Sequence, residues 1–75
     1  LRARFFFERP TREGLVKSVE YFRAALEIDP SFAAAHAGLA MAYNYNALFG
    51  YLPPAEAFRL VEAEARKAIE LNPFL

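Results

Sequence analysis

Phe22-Arg-Ala-Ala-Leu-Glu-Ile-Asp-Pro30 and Ala65-Arg-Lys-Ala-Ile-Glu-Leu-Asn-Pro73 read as two versions of one segment, 43 residues apart. Arg23/Arg66, Ala25/Ala68, Glu27/Glu70 and Pro30/Pro73 are identical pairs, and Leu26/Ile69, Ile28/Leu71 and Asp29/Asn72 are conservative ones. Each copy closes on a proline, which lacks the N–H that a helix interior needs and disfavours helix in the residue before it. Two matching helix ends at one offset predict a repeat built from helical hairpins.

Working outward from these ends, the chain divides into four helical segments. The first covers residues 1 to about 8 and is stopped by Pro10. The second opens at Thr11, a good N-cap residue, and runs to about Ile28. Its apolar set Leu15, Val19, Phe22 and Leu26 has i, i+4, i+7, i+11 spacing, which is one face of a helix. The third is expected to start with Asp29 as cap and Pro30 at its first position, and to reach about Leu48, with Phe32, His36, Leu39 and Tyr43 on its inner face. Gly50 and Pro53-Pro54 break the chain. The fourth runs from near Pro54 to about Leu71 with Phe58, Val61, Ala65 and Ala68 as its set. No segment alternates with period two, so no sheet is expected. The fold class is all-α, with one hairpin over about 1–29 and a second over about 30–72.

Composition narrows the function. The 75 residues carry nine Lys plus Arg and nine Asp plus Glu, a formal net charge of zero. Bulk charge therefore gives no drive toward nucleic acid or a membrane surface. The absence of cysteine removes disulfides and thiolate chemistry. Apolar residues make up 56% of the chain, and so small a domain buries only about 60% of its unfolded surface, which leaves apolar area for a partner. From Pro30 to Ala55 there is no Asp, Glu, Lys or Arg. That window is long enough to cross a bilayer, but it is mostly Ala, contains His36, Asn44 and Asn46, and ends near two prolines. A helix packed on two sides, with small residues allowing close approach, is the better reading. Leu1 and Leu75 do not look like natural termini, and the chain reads as a piece of a longer protein.

The pattern resembles the tetratricopeptide repeat (TPR). That family places Trp, Leu, Gly and Tyr on the first helix of each hairpin, and His36, Leu39, Ala40 and Tyr43 stand in those slots here. On the second helix it places Ala, an aromatic, Ala and Pro. Ser18, Phe22, Ala25 and Pro30 occupy these positions in one copy, and Val61, Ala65, Ala68 and Pro73 in the other. The departures are His36 for a large apolar residue, Val61 and Ala65 for a small-then-aromatic pair, and a period of 43 where the family has 34. The additional residues fall in Ala47–Ala57. In style the chain looks like the TPR arrays attached to bacterial multi-domain regulators such as kinases, cyclases and winged-helix transcription factors.

The resemblance implies an α-solenoid of about two repeats. It implies a concave groove lined by the first helix of each hairpin, which would hold a peptide. The groove candidates on the third helix are Ala34, Ala37, Gly38, Met41, Asn44, Tyr45 and Leu48, with Asn44 and Tyr45 as polar readers. TPRs that clamp a C-terminal carboxylate place Lys and Asn where this chain has Ala37 and Met41, so no such clamp is expected. Phe49, Tyr51 and Leu52 form either a second contact or a cover over the longer helices.

Catalysis finds little support. His36 is the only histidine, and its i±3 and i±4 neighbours Phe32, Ala33, Leu39 and Ala40 hold no carboxylate or hydroxyl, which favours a packed core histidine. Glu62, Glu64 and Glu70 alternate with Arg66 and Lys67 as a solvated face. No glycine-rich phosphate loop is present. Arg2, Arg4, Arg9 and Arg12 with Phe5, Phe6 and Phe7 could grip RNA or an acidic peptide, but core plus solvated arginines is the preferred reading. The expectation is a non-enzymatic interaction scaffold within a larger regulator. It needs no cofactor or metal, takes a protein or peptide partner, and uses no nucleic acid, membrane or small-molecule substrate. Self-association into a homo-oligomer, or service as the regulatory part of an enzyme or transcription regulator, is the alternative. The expected compartment is the cytoplasm, with the periplasm second.

Overall fold

The computed structural model describes residues 11–74, which form three helices: α1 (Arg12–Ile28), α2 (Ala33–Leu48) and α3 (Pro54–Leu71). No strand occurs among the described residues. The helix expected over residues 1–8 and the Arg/Phe run within it lie outside them.

Local chemistry sets each boundary. Thr11 Oγ1 accepts the Gly14 N–H at 2.9 Å, satisfying one of the donors that a helix start leaves without a partner. α2 ends in a Schellman arrangement: Gly50 takes φ +79°, its N–H donates to Ala47 O at 3.0 Å, and the Tyr51 N–H donates to Asn46 O at 2.7 Å. Only a glycine adopts that left-handed angle without strain. α3 opens with Pro54 in its first turn, where a missing N–H costs nothing.

The start of α2 differs from expectation. The helix begins at Ala33, with Phe32 as N-cap, and not at Pro30. The Asp29 carboxylate is committed to the Ser31 N–H (3.1 Å) and Ser31 Oγ (2.7 Å), and the Phe32 N–H donates to Asp29 O at 3.1 Å. Asp29 thus C-caps α1, its N–H donating to Ala25 O at 2.9 Å, and its side chain closes a tight Asx-type turn in place of N-capping α2.

α1 and α3 both pack on α2 and barely touch each other, so α2 is the central helix. Its links to α1 and α3 are too short to span a helix length, which makes each neighbouring pair antiparallel. The central place falls to α2 because it alone carries no charge and is apolar nearly all round, whereas α1 and α3 are amphipathic. Phe22, Ala35, Leu39 and Tyr43 form the core, with Val19, Ala25, Leu26, Leu52, Leu60 and Val61 packed against it. At Gly38 a Cβ would overlap the ring of Phe22, so α1 and α2 meet there through a ring laid on bare backbone.

Two residues expected on core faces are exposed. Phe32 stands at the cap, ahead of the helical spiral. Phe58 is 67% exposed because the inner arc of α3 centres on Ala57, Glu64 and Ala68, and Phe58 lies to one side of it. Ala40 is buried as its slot required, while Ala63 is exposed. Ala40→Leu should therefore cost about 1–3 kcal/mol through overpacking, and Ala63→Leu should be near neutral. Urea unfolding of the two variants checks this, and equal effects would show that the helix rotations are wrong. Among the described residues no helix is long and apolar enough to cross a membrane.

Candidate interaction surface

The candidate surface is the side of α2 that neither neighbour covers. At 100° per residue, Ala34, Ala37, Met41, Asn44 and Leu48 fall within an arc of about 80°. Ala34, Met41, Asn44 and Leu48 are exposed and Ala37 is half-buried, with Met41 53% and Leu48 69% open to solvent. Tyr45 borders this stripe, half-buried. Gly38 does not belong to it, because the Phe22 ring covers its backbone.

The stripe runs into a short aromatic ladder. Tyr45 and Phe49 stack with centroids 6.4 Å apart at 17°, and Phe49 and Tyr51 follow at 6.5 Å and 26°. The Schellman turn at Gly50 brings Tyr51 back alongside Phe49. Phe49 and Tyr51 are exposed, whereas Leu52 is half-buried against the core. The loop therefore splits: its leucine packs inward and its two aromatic rings stay on the surface.

Two polar clasps hold this surface in place. Tyr43 is buried, and its hydroxyl accepts from Arg23 Nε at 3.1 Å and Nη2 at 2.6 Å, with the guanidinium 5.8 Å from the ring centroid. This ties α1 to α2. The second clasp joins α2 to α3. His36 Nδ1 lies 2.7 Å from Glu64 Oε1, and Nε2 lies 2.9 Å from Pro30 O. A carbonyl only accepts, so Nε2 is the donor toward Pro30. The Nδ1–carboxylate bond then requires one proton held between ring and carboxyl.

This corrects the sequence reading in two respects. His36 does have a carboxylate partner, and Glu64 is not part of a solvated face: its side chain is 15% exposed against 68% for Arg66. The partner comes from a helix 28 residues away, beyond the reach of i±4 logic. One signal was available, since Glu64 shares the apolar arc of Ala57, Leu60, Val61 and Ala68. Both ring nitrogens are engaged, so the pair fastens the 29–32 turn, α2 and α3 and presents no nucleophile or free base. Glu62 and Glu70 are exposed as expected, and the Glu62–Arg66 pair at 3.8 Å is a solvated i,i+4 contact of little worth.

Comparisons with protein-family models, curated proteins and solved structures find no match for this chain.

Proposed function

We propose that this chain is a TPR-like segment of an α-solenoid that serves as a non-enzymatic scaffold for a protein or peptide partner. One observation carries the reading. α2 is held on two sides by α1 and α3, and what it leaves open is an uncharged stripe of Ala34, Ala37, Met41, Asn44 and Leu48. Small residues let a partner backbone approach, Met41 supplies an adaptable apolar contact, and Asn44 offers both a donor and an acceptor. The ladder of Tyr45, Phe49 and Tyr51 extends the same surface and gives aromatic anchors of the kind that dominate interface energy. No cation stands on the stripe, so recognition rests on shape and apolar contact and not on a terminal carboxylate.

A random peptide library panned against the chain supplies ligands for the test. An enriched peptide should lose at least tenfold in affinity on Met41→Asp, about 1.4 kcal/mol. It should also weaken on the double change Phe49→Ser with Tyr51→Ser, with helix content by circular dichroism unchanged in both variants. Amidating the peptide's C-terminus should leave affinity unaltered. Enriched peptides that bind Met41→Asp as tightly as the parent chain would sink the reading.

A further inference from the structure

Phe49 and Tyr51 stand at the C-terminal end of α2, where the aligned peptide dipoles of that helix leave a partial negative charge. A lysine, arginine or histidine in the last turn commonly answers such an end, and α2 has none. No Asp, Glu, Lys or Arg occurs anywhere from Pro30 to Ala55. The N–H groups of Phe49, Gly50 and Tyr51 take up the carbonyls of Tyr45, Ala47 and Asn46, but no backbone N–H among the described residues reaches that of Leu48. α3 opens close by with the opposite polarity, and Glu56 in its first turn already answers that end.

The rings add to this potential. Tyr51 is the last ring of the ladder, with Phe49 on one side of it, and 38% of Tyr51 and 43% of Phe49 is open to solvent. The face of an aromatic ring is the negative part of its quadrupole. Ring faces and helix end thus present negative potential at one corner of the molecule, and no cation of the uncharged segment takes it up. The interior shows the same pairing filled: the Arg23 guanidinium lies 5.8 Å from the Tyr43 ring centroid and donates to its hydroxyl.

We infer that this corner seats an arginine of the peptide partner, its guanidinium laid on Phe49 and Tyr51 at the end of α2. Arginine fits better than lysine, because its guanidinium is planar, more weakly hydrated, and able to stack on a ring while an edge N–H donates to a carbonyl such as that of Leu48. The inference rests on the function proposed for the α2 stripe and adds a charged contact at its end. Met41 and Phe49 are eight residues apart, about 12 Å along the helix. An extended peptide covers that distance in three or four residues, so its arginine stands three or four places from the apolar side chain that covers Met41.

The test starts from the peptides enriched by panning the random library against the full chain. Arginine should recur among them three or four residues from an apolar anchor. In one such peptide, citrulline in place of the arginine keeps the shape and removes the charge, and should weaken binding about fivefold. Phe49→Leu and Tyr51→Leu keep apolar bulk and remove a ring. Each should weaken the arginine peptide by a similar factor and the citrulline peptide much less. Both positions are exposed, so circular dichroism should show the fold intact. Enriched peptides without a recurrent arginine, or a citrulline form that binds as tightly, would overturn the proposal. So would leucine variants that weaken both peptides alike, since the rings would then act by apolar contact alone. Met41→Asp tells the two readings apart. Peptides that lose affinity on Met41→Asp but tolerate citrulline leave the stripe without the arginine seat, and peptides that need the arginine but ignore Met41→Asp leave the seat without the stripe. A library that yields no binder overturns both.

Discussion

Gly38→Leu is expected to be among the most damaging single changes in this chain, costing about 3 kcal/mol. The position looks tolerant by ordinary rules. It is half-buried, it sits mid-helix, and replacing glycine with a better helix former should add about 1 kcal/mol of stability. The Phe22 ring reverses that expectation, because a Cβ at Gly38 would overlap it. The ring is itself buried in the core and cannot swing into solvent without opening a void. Gly38→Ala separates the two effects: its helix-propensity gain offsets part of the steric cost, so it should destabilise less than the leucine. Phe22→Ala alone should cost about 3–5 kcal/mol. Adding Gly38→Leu to it should restore part of the loss, because the leucine then occupies the emptied ring site, giving a favourable coupling of about 1–3 kcal/mol in the double-mutant cycle. A domain of this size has only about 3–10 kcal/mol in total, so thermal and urea unfolding will resolve these differences. Strict additivity would mean that the ring and the glycine do not touch.

Both features behind that prediction were written in the sequence, but not their meeting. The spacing of Leu15, Val19, Phe22 and Leu26 assigned Phe22 to an inner face correctly, and all four are buried or half-buried. The ends near Thr11, Ile28, Leu48, Pro54 and Leu71 were legible because capping and helix breaking are local events decided by a few neighbouring residues. Contacts between helices depend on the rotation of each helix about its axis, which periodicity fixes only coarsely. Hence Gly38 was read as a surface residue, and Phe58 as a core one. At Pro30 two local rules competed: proline suits a helix start, but Asp29 found a closer use in the Ser31 turn. The exposed side of α2 came from the resemblance, whose slots turn Leu39, Ala40 and Tyr43 toward the neighbouring helices; these three are buried, and Ala34, Met41, Asn44 and Leu48 are exposed. Tyr45, Phe49 and Tyr51 could be named from sequence as candidates. Their stacking into one ladder, with Leu52 turned inward, depends on the turn at Gly50.

Losing either member of the His36–Glu64 pair should cost about 3 kcal/mol, and losing both should cost less. The side chains are 9% and 15% exposed, so each is shielded from water by the packing of α2 on α3. Glu64→Leu leaves His36 Nδ1 facing apolar atoms, and His36→Leu leaves a shielded carboxylate with only Lys67 Nζ, 4.0 Å away, to answer it. The Pro30 carbonyl loses its donor in the second case as well, which makes His36→Leu the worse of the two. With both changed to leucine no orphaned charge remains, and buried pairs replaced by apolar side chains of similar size are often as stable as before. The informative variant is Glu64→Gln. With Nε2 donating to Pro30 O, a neutral ring has a lone pair at Nδ1, and a glutamine amide N–H can donate to it without any extra proton. That variant should lose only about 1 kcal/mol. If it unfolds as readily in urea as Glu64→Leu, the carboxylate charge itself fastens α3 to α2. If it stays close to the parent chain, the fastening is a hydrogen bond whose geometry the two helices already supply.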